Sequence, residues 1–231
     1  MQNFAIIGSG ISGLSSFYYL NKEKKDVTLF EASDRIGGHS YTVDINNERI
    51  DLGFQVSNEM TYPNLYNLFH SLGVKKYLKP TNMSFSVICN NFEWGMASFM
   101  SLGSLLTSPR FYSLVYEIAR FHRIAKSTLQ TLNSEQTLGE FVKEYSFSDH
   151  FCKSYLYPFT SSVWSMGETS VENFSAKSML EFMRNHGLLT FFSYKWYYLT
   201  CSSQTYIDRI TENHVDKIKT NHILNTINKN N

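Results

Sequence analysis

Two short apolar runs separated by a glycine-rich segment open the chain. Phe4 to Ile7 is apolar and rich in β-branched side chains, and Asp26 to Phe30 carries a second run of the same kind. Runs of this length, bounded by turn signals, are typical of buried strands in a parallel sheet. Ile11 to Leu20 lies between them and is long enough for a helix. The pattern therefore predicts a strand–helix–strand (βαβ) unit.

Further along the chain, the pattern predicts a hairpin and several helices. Tyr41 to Ile45 and Glu48 to Asp51 flank Asn46-Asn47, a pair typical of a tight hairpin turn. The helix signals that follow are a proline in the first turn, a Ser-Pro start and a Thr-x-x-Glu capping box. They predict helices that begin near Pro63, Pro109 and Thr137, and a further helix from Gln204 to about Thr211.

The glycines between the first strand and the first helix have the spacing G-x-G-x-x-G of a dinucleotide-binding turn. Gly8 allows the tight bend, Gly10 removes a side chain that would collide with a pyrophosphate, and Gly13 lets the helix pack close to the strand. Ile11 and Ser12 then lie in the first helical turn, whose free N–H groups and positive dipole end favour phosphate. This segment is predicted to be an anion site built from backbone.

Glu31 follows the second predicted strand, roughly 20 residues beyond the glycines, where a carboxylate can accept both hydroxyls of an adenosine ribose. An acidic residue there disfavours a 2′-phosphate. The alternative is a solvated carboxylate at a strand end. Strand, glycines and spacing together favour the ribose contact.

A second glycine pair comes directly after Glu31. In the segment Asp34-Arg35-Ile36-Gly37-Gly38-His39, the glycines would let another loop close over the diphosphate, while Arg35 supplies charge-assisted hydrogen bonds. The His39 imidazole can also donate there. The run from Glu31 through Ala32 to His39 resembles the second fingerprint of the FAD-dependent amine oxidase and phytoene desaturase superfamily. The resemblance implies that FAD is the cofactor and that Ala32 belongs to its site; a nicotinamide-dependent reductase is the disfavoured alternative.

Three internal motifs narrow this resemblance. They are T-Y-P-N-L at Thr61 to Leu65, M-S-F-S-V at Met83 to Val87 and N-H-G-L-L at Asn185 to Leu189. These are similar to motifs of a bacterial subfamily of NAD/FAD-binding, flavin-containing amine-oxidase-like proteins, so the resemblance covers nearly the whole chain. The association of that subfamily with fatty-acid-modifying enzymes implies an acyl-lipid substrate. The resemblance also puts Gly53 and Phe54 near the flavin ring, although Gly53 is equally well explained as a turn glycine.

The implied fold class is α/β, with an FAD-binding Rossmann-like βαβ domain and an inserted, mostly helical substrate (cap) domain. Residues 1–60 would form the first part of the FAD-binding domain, residues 61–195 the substrate region, and residues 196–231 the return to the FAD-binding domain. In that return segment, Leu224 would meet the adenine. Members of the family continue for a comparable length, so the chain resembles their N-terminal half, and a third parallel strand is expected outside it.

One turn departs from the family pattern. Cys201, Ser202 and Ser203 occupy positions where members have Gly-Gly-Ser before a helix. If those glycines have positive φ, or let the backbone approach a ligand, Cys and Ser would strain or block the turn. Activity of the isolated chain is therefore a separate question from cofactor binding.

Composition and charge exclude several other classes. The net charge is +1, from 21 basic and 20 acidic residues, which gives no sign of a nucleic-acid partner. The three cysteines are odd in number and far apart, which fits a reducing, cytoplasmic compartment rather than a disulfide framework. The seven histidines lack metal-ligand spacing, so no metal site is predicted. No apolar run is long enough to span a membrane.

Two helical regions allow more than one interpretation. Arg120, Arg123 and Lys126 lie along the helix that begins at Pro109, which is either an ordinary helix with a solvated face or a peripheral contact with anionic lipid. The ordinary helix is favoured. The aromatic stretch from Phe151 to Trp164 either lines an apolar substrate tunnel or forms core, and core is the more common outcome.

The sequence thus predicts an FAD-dependent oxidoreductase that moves a hydride from an amine or an acyl-lipid substrate to flavin N5. No catalytic acid or base can be assigned from the motifs. The alternative is a non-catalytic remnant, or one subunit of a split flavoprotein that needs a second polypeptide to complete its fold. An unpaired edge strand would be the contact surface in that case.

Overall fold

The computed structural model describes residues 3–81, 86–89, 92–95, 108–164, 166–189 and 195–228. Part of the Met83–Val87 motif and residues 98–107, ahead of the helix predicted to begin near Pro109, lie outside these ranges. The strands are β1 (Asn3–Ile7), β2 (Asp26–Phe30), β3 (Thr42–Ile45), β4 (Glu48–Asp51), β5 (Val56–Ser57), β6 (Leu78–Thr81), β7 (Ser86–Cys89), β8 (Phe92–Gly95), β9 (Trp196–Leu199) and β10 (Ile218–Lys219). The helices are α1 (Ile11–Lys22), α2 (Pro63–Ser71), α3 (Pro109–Thr128), α4 (Leu138–Glu144), α5 (Asp149–Phe151), α6 (Tyr157–Trp164), α7 (Glu168–Val171), α8 (Ala176–Asn185) and α9 (Gln204–Thr211).

The chain forms two compact units. Residues 1–81 together with 196–231 make the first unit, and residues 82–195 make the second. The first unit contains a parallel three-stranded sheet in the order β1-β2-β10, with α1 connecting β1 to β2. The predicted βαβ unit is therefore present. The expectation that the third parallel strand lies outside the chain is wrong, because β10 pairs with β2.

β10 is a short strand within the return segment, residues 196–231. Only Ile218 and Lys219 pair with β2, opposite Leu29 and Phe30. The chain then bends at Asn221, whose φ is 58°, and residues 222–228 have no regular structure. A left-handed residue cannot continue a strand, so the ladder ends there.

One face of this sheet is packed and the other is open. Val27 and Leu29 are buried in the core of the first unit, where Leu14 and Phe17 of α1 also lie. On the opposite face of β1, Ala5 is exposed and Ile7 keeps 50% of its surface exposed. The prediction that β1 is a fully buried strand is therefore wrong for this face.

β3 and β4 form the predicted hairpin. Val43 pairs with Ile50 in an antiparallel register. Asn46 and Asn47 have φ of 51° and 66°, the pair of left-handed residues that a type I′ turn requires. Among the described residues, a second small sheet of the first unit has the order β5-β9-β6, and α2 and α9 contribute buried residues to the same core.

The second unit is mostly helical around an aromatic core. Phe121, Phe141 and Phe151 have no exposed surface and contact one another or their neighbours edge-on or tilted. Thr137 and Glu140 form the predicted capping box at the start of α4. Between α5 and α6, residues Cys152–Leu156 form a π-helical turn. Phe151, Tyr155 and Phe159 are buried in the core, which is the outcome the sequence favoured for this aromatic stretch.

Candidate dinucleotide-binding site

The fold itself requires glycine at two positions near the end of β1, Gly8 in the turn and Gly13 in α1. Gly8 has φ of 90°, and its N–H donates to the Phe30 carbonyl at 2.8 Å, which ties the turn to β2. A Cβ on Gly13 would lie 1.9 Å from the Gly8 carbonyl oxygen. Helix α1 therefore starts in backbone contact with the turn, as the spacing predicted.

Gly10 is different, because none of the residues that the structure describes requires it to be glycine. Its φ of −63° suits any residue, and a Cβ there would meet no described atom within 4 Å. The missing side chain leaves open space at the N-terminal end of α1. This free space fits a bound diphosphate, which is the role the sequence predicted for Gly10.

The first turn of α1 is open to a negatively charged group. In the part of the chain that the structure describes, no side chain caps this helix and its first turn holds no acidic residue. Ile11 and Ser12 occupy that turn and are exposed. Uncapped N–H groups and the positive end of the helix dipole together favour an anion.

Glu31 lies directly after β2, beside the glycine turn. Its Oε2 accepts hydrogen bonds from the Ser9 N–H at 2.8 Å and the Ser9 hydroxyl at 2.5 Å, and its Oε1 accepts from the Ser33 N–H at 2.9 Å. Partial burial raises the pKa of this carboxyl, but the hydrogen bonds from Ser9 and Ser33 outweigh that effect and lower the pKa to about 2. Glu31 is therefore an ionised acceptor at neutral pH.

The second glycine loop closes against the first. Gly37 has φ of 119° and Gly38 has φ of 58°, and a Cβ on Gly38 would lie 2.8 Å from the Gly10 Cα. The Arg35 guanidinium donates to the Gly38 carbonyl at 2.9 Å and lies over the Tyr41 ring, 4.2 Å from its centroid. Arg35 thus braces its own loop, and its remaining N–H groups stay available to a ligand.

His39 connects this loop to the D-x-G segment through its backbone. The His39 carbonyl accepts from the Phe54 N–H at 3.0 Å, and a Cβ on Gly53 would lie 1.8 Å from the same oxygen. Gly53 is therefore required by a close backbone approach. Its predicted position near a flavin ring stays a prediction.

Ala32 and Leu224 are the remaining predicted site residues. Ala32 is exposed in the loop after Glu31. The backbone after β10 returns to this loop, because the His222 N–H donates to the Glu31 carbonyl at 2.9 Å. Leu224, two residues further on, is 46% exposed. Its contact with adenine stays a prediction.

The departure at residues 201–203 places one serine in the left-handed region of the backbone. Ser202 has φ of 66°, so a serine occupies a backbone conformation that glycine favours. Ser203 instead donates from its N–H and its hydroxyl to the Asp51 carboxylate, at 2.9 Å and 2.8 Å. Asp51 thereby links the end of the hairpin to the start of α9.

Ser9 is the site residue that the sequence analysis missed. It lies within the glycine turn, is fully buried, and forms hydrogen bonds to both Glu31 and the Gly37 loop. Its only sequence signal is a hydroxyl at a variable position of G-x-G-x-x-G, which is too weak to identify it.

Two features are not found among the described residues. Within the residues that the structure describes, no three His, Cys, Asp or Glu side chains are grouped so that they could hold a metal ion. Over the same residues, no helix combines the length and the apolar character needed to cross a membrane.

Comparison with known proteins finds similarity in the N-terminal region. Residues 6–72 match the model of the NAD(P)-binding Rossmann-like domain family. The flavin-containing amine oxidase A of Canis lupus familiaris is 47% identical over 51 residues, which are 22% of this chain and 9% of that protein. The 1-hydroxycarotenoid 3,4-desaturase of Flavobacterium sp. (strain P99-3) is 36% identical over 72 residues, 31% of this chain and 14% of that protein. These relatives confirm the predicted resemblance to amine oxidases and carotenoid desaturases.

Solved structures extend the similarity of fold to nearly the whole chain. Cyclohexylamine oxidase from Brevibacterium oxydans IH-35A superposes with a TM-score of 0.73 at 18% identity, over 95% of this chain and 51% of that protein. A putrescine oxidase bound to putrescine gives a TM-score of 0.70 at 17% identity, over 95% of this chain and 51% of that protein. The chain therefore corresponds to about half the length of these oxidases, in their N-terminal part.

Proposed function

We propose that this chain carries the FAD-binding site of an oxidoreductase of the amine oxidase type. The observation that carries the proposal is the convergence, at the uncapped start of α1, of two glycine loops and an ionised carboxylate. The flavin-containing amine oxidase among its relatives supports FAD over a nicotinamide.

Each element of the site has a physical role toward the cofactor. The open space at Gly10 accommodates the diphosphate, and the free N–H groups of α1 bind its negative charge. Glu31 accepts a ribose hydroxyl, and the Gly37-Gly38 loop covers the diphosphate. Bound FAD supplies hydride acceptance at flavin N5, from an amine or an acyl-lipid substrate.

A matched pair of glycine variants tests the proposal. Gly10 and Gly167 both precede a helix, with φ of −63° and −70°, and a Cβ on either meets no atom of the described part of the chain within 4 Å. Gly10→Val should lower FAD affinity at least about 100-fold, about 2.8 kcal/mol, because the side chain fills the diphosphate space. Gly167→Val should leave it unchanged. Flavin fluorescence titration measures both, and circular dichroism checks folding.

Two results of this experiment would contradict the proposal. Equal FAD affinity in the two variants would show that the space at Gly10 is not used. Binding of NAD but not FAD by the unaltered chain would assign the site to a nicotinamide cofactor instead.

The substrate region is proposed to be residues 61–195, inserted between residues 1–60 and 196–231 of the FAD-binding domain. The mostly helical character of the described residues in the compact unit 82–195 supports the larger part of this assignment, whereas residues 61–81 belong to the first compact unit. A photoreactive amine or fatty-acyl probe should label residues within 61–195. Labelling confined to residues 1–60 would contradict it.

A second candidate function, as one subunit of a split flavoprotein, is supported by the open side of the parallel sheet. Parallel sheets are nearly always covered on both faces, yet Ala5 and Ile7 of β1 are exposed. The proposed occupant is a second polypeptide that adds a strand along β1 and an apolar layer over this face. It would correspond to the half of cyclohexylamine oxidase that this chain does not match.

Hydrogen exchange combined with sedimentation tests the second candidate on the chain alone. The Gly8 N–H points to β2, so the N–H groups of Ala5 and Ile7 point to the open edge. A monomer in which both exchange rapidly is expected. A dimer that protects them would assign the edge to a second copy, and a monomer that protects them would show that the chain covers the edge itself.

A cytoplasmic location with peripheral contact at the inner membrane face is also proposed. Arg123 and Lys126 are exposed on α3, whereas Arg120 lies 3.9 Å from the Glu117 carboxylate and donates to the Tyr145 carbonyl. The chain should float with phosphatidylglycerol vesicles and not with phosphatidylcholine vesicles. Arg123→Gln with Lys126→Gln should abolish flotation; flotation by the double variant would contradict the contact.

A further inference from the structure

We propose that Ser9 is the positioning residue of the dinucleotide site, and that its hydroxyl holds both the Glu31 carboxylate and the Gly37-Gly38 loop in the arrangement that receives ribose and diphosphate. The inference rests on the proposed FAD site and identifies the group that preforms it. Ser9 has no exposed surface, so water does not compete for its hydrogen bonds.

The hydroxyl of Ser9 makes one bond to each side of the site. It donates to Glu31 Oε2 at 2.5 Å and accepts from the Gly37 N–H at 3.1 Å. A serine hydroxyl has one donor and two acceptor positions. Its donor is thus committed to the carboxylate, and an acceptor is committed to the second loop.

Ser9 also decides which oxygen of Glu31 faces a ligand. An ionised carboxylate has about four acceptor positions. The Ser9 N–H and hydroxyl take both positions on Oε2, the Ser33 N–H takes one on Oε1, and the Ser33 side chain also bonds to the carboxylate. A ligand can therefore add one hydrogen bond at most without displacing Ser33, rather than the two that the sequence suggested.

The second loop depends on Ser9 through its backbone as well. The Gly37 N–H is shared between the Ser9 hydroxyl and the Ser9 carbonyl, each at 3.1 Å. Gly38 follows, and it lies against Gly10 closely enough that a Cβ would be 2.8 Å from the Gly10 Cα. Removing the hydroxyl therefore loosens the loop that covers the diphosphate space.

Replacing Ser9 by Ala is the direct test, with Ser16→Ala as the matched control. Ser16 is exposed on α1, and its hydroxyl bonds only to the helix carbonyl of Ser12 among the interactions seen in the structure. Ser9→Ala should raise the dissociation constant for FAD roughly tenfold, because a hydrogen bond to a charged group is lost. Ser16→Ala should leave it unchanged.

The pH dependence separates positioning from a general structural effect. The wild-type pKa of Glu31 is lowered to about 2 from 4.5, partly by the Ser9 hydroxyl. In Ser9→Ala this pKa should rise toward 4.5, so FAD affinity should begin to fall near pH 5 in the variant and at lower pH in the wild type. The other titratable side chains on the segments around Glu31 are Asp34, Arg35, His39, Lys219 and His222, and they are the same in both proteins.

Carboxyl carbon NMR of Glu31, recorded on the chain without FAD, gives a readout that does not depend on the cofactor. An unchanged Glu31 pKa in Ser9→Ala overturns the proposal, as does a raised pKa with unchanged FAD affinity. If no variant and no wild-type chain binds FAD, the proposed function fails while the NMR titration still decides the Ser9–Glu31 link. Ser9→Cys, with a weak S–H donor of similar shape, should give intermediate values of both quantities if Ser9→Ala fails to fold.

Discussion

The two compact units differ in how they bury the apolar faces of their helices and strands. In the second unit, helices bury their apolar faces against one another, and Phe121 and Phe141 have no exposed surface. In the first unit, β2 contributes fully buried Leu29 to one face of the parallel sheet, while Ile7 on the opposite face is half exposed. A helix has one apolar stripe to bury, but a parallel sheet has two faces. The proposed cofactor site therefore lies on a unit whose parallel sheet has one partly exposed face.

The largest expected effect is in the aromatic core of the second unit. Phe121→Ala should lower its unfolding free energy by about 3–5 kcal/mol, because a buried ring is replaced by a cavity. Tyr116→Ala on the same helix is the control, since Tyr116 is 65% exposed. Urea unfolding followed by fluorescence of Trp94 and Trp164 gives both values. Similar losses in the two variants would show that the second unit is not self-contained.

Acid should weaken the second unit through His122. Burial lowers the pKa of His122 to about 4 from 6.5, with a smaller contribution from Lys126. The unfolded chain therefore takes up a proton first, so stability should fall as the pH drops from about 6.5 to about 4 and then level off. His122→Gln should remove this component from the urea midpoint. A variant with the wild-type pH dependence would contradict the assignment.

Neighbouring serines of the first unit should respond to glycine with opposite signs. Ser202 has φ of 66°, so Ser202→Gly should raise the unfolding free energy by about 1 kcal/mol. Ser203 has φ of −66° and its hydroxyl bonds to Asp51, so Ser203→Gly should lower it by about 1 kcal/mol. Thermal unfolding compares the two. A change of unfolding free energy with the same sign in both variants would show that backbone strain at Ser202 is not the cause.

The smallest expected effect tests the open face directly. Ile7→Ser should change the unfolding free energy by no more than about 0.5 kcal/mol, because Ile7 is 50% exposed. Ile6→Ser, on the packed face of the same strand, should cost more, since Ile6 packs against the core of the first unit. Chemical denaturation of both variants gives the comparison. Equal losses of unfolding free energy in the two variants would mean that the face near Ile7 is covered.

Local signals in the sequence were sufficient for the βαβ unit and the hairpin. Gly13 is required by its close approach to Gly8, and Asn46-Asn47 suit the positive φ angles of their turn. Both causes lie within a few residues, so the local sequence is enough to predict these features. The open face of β1 was not predictable, because an apolar run does not tell how many layers cover it. Contacts between residues far apart in the sequence, such as the hydrogen bond from Ser203 to Asp51, could not be predicted either.

The contact between Gly38 and Gly10 has a consequence for protein engineering. Because the two glycine loops touch through their backbones and share Ser9, they behave as one module. Grafting a foreign 31–39 segment to change cofactor preference would set its new side chains against an unaltered first turn. Transplanting both loops together, with the residue at position 9, keeps the module intact and is the smaller disturbance.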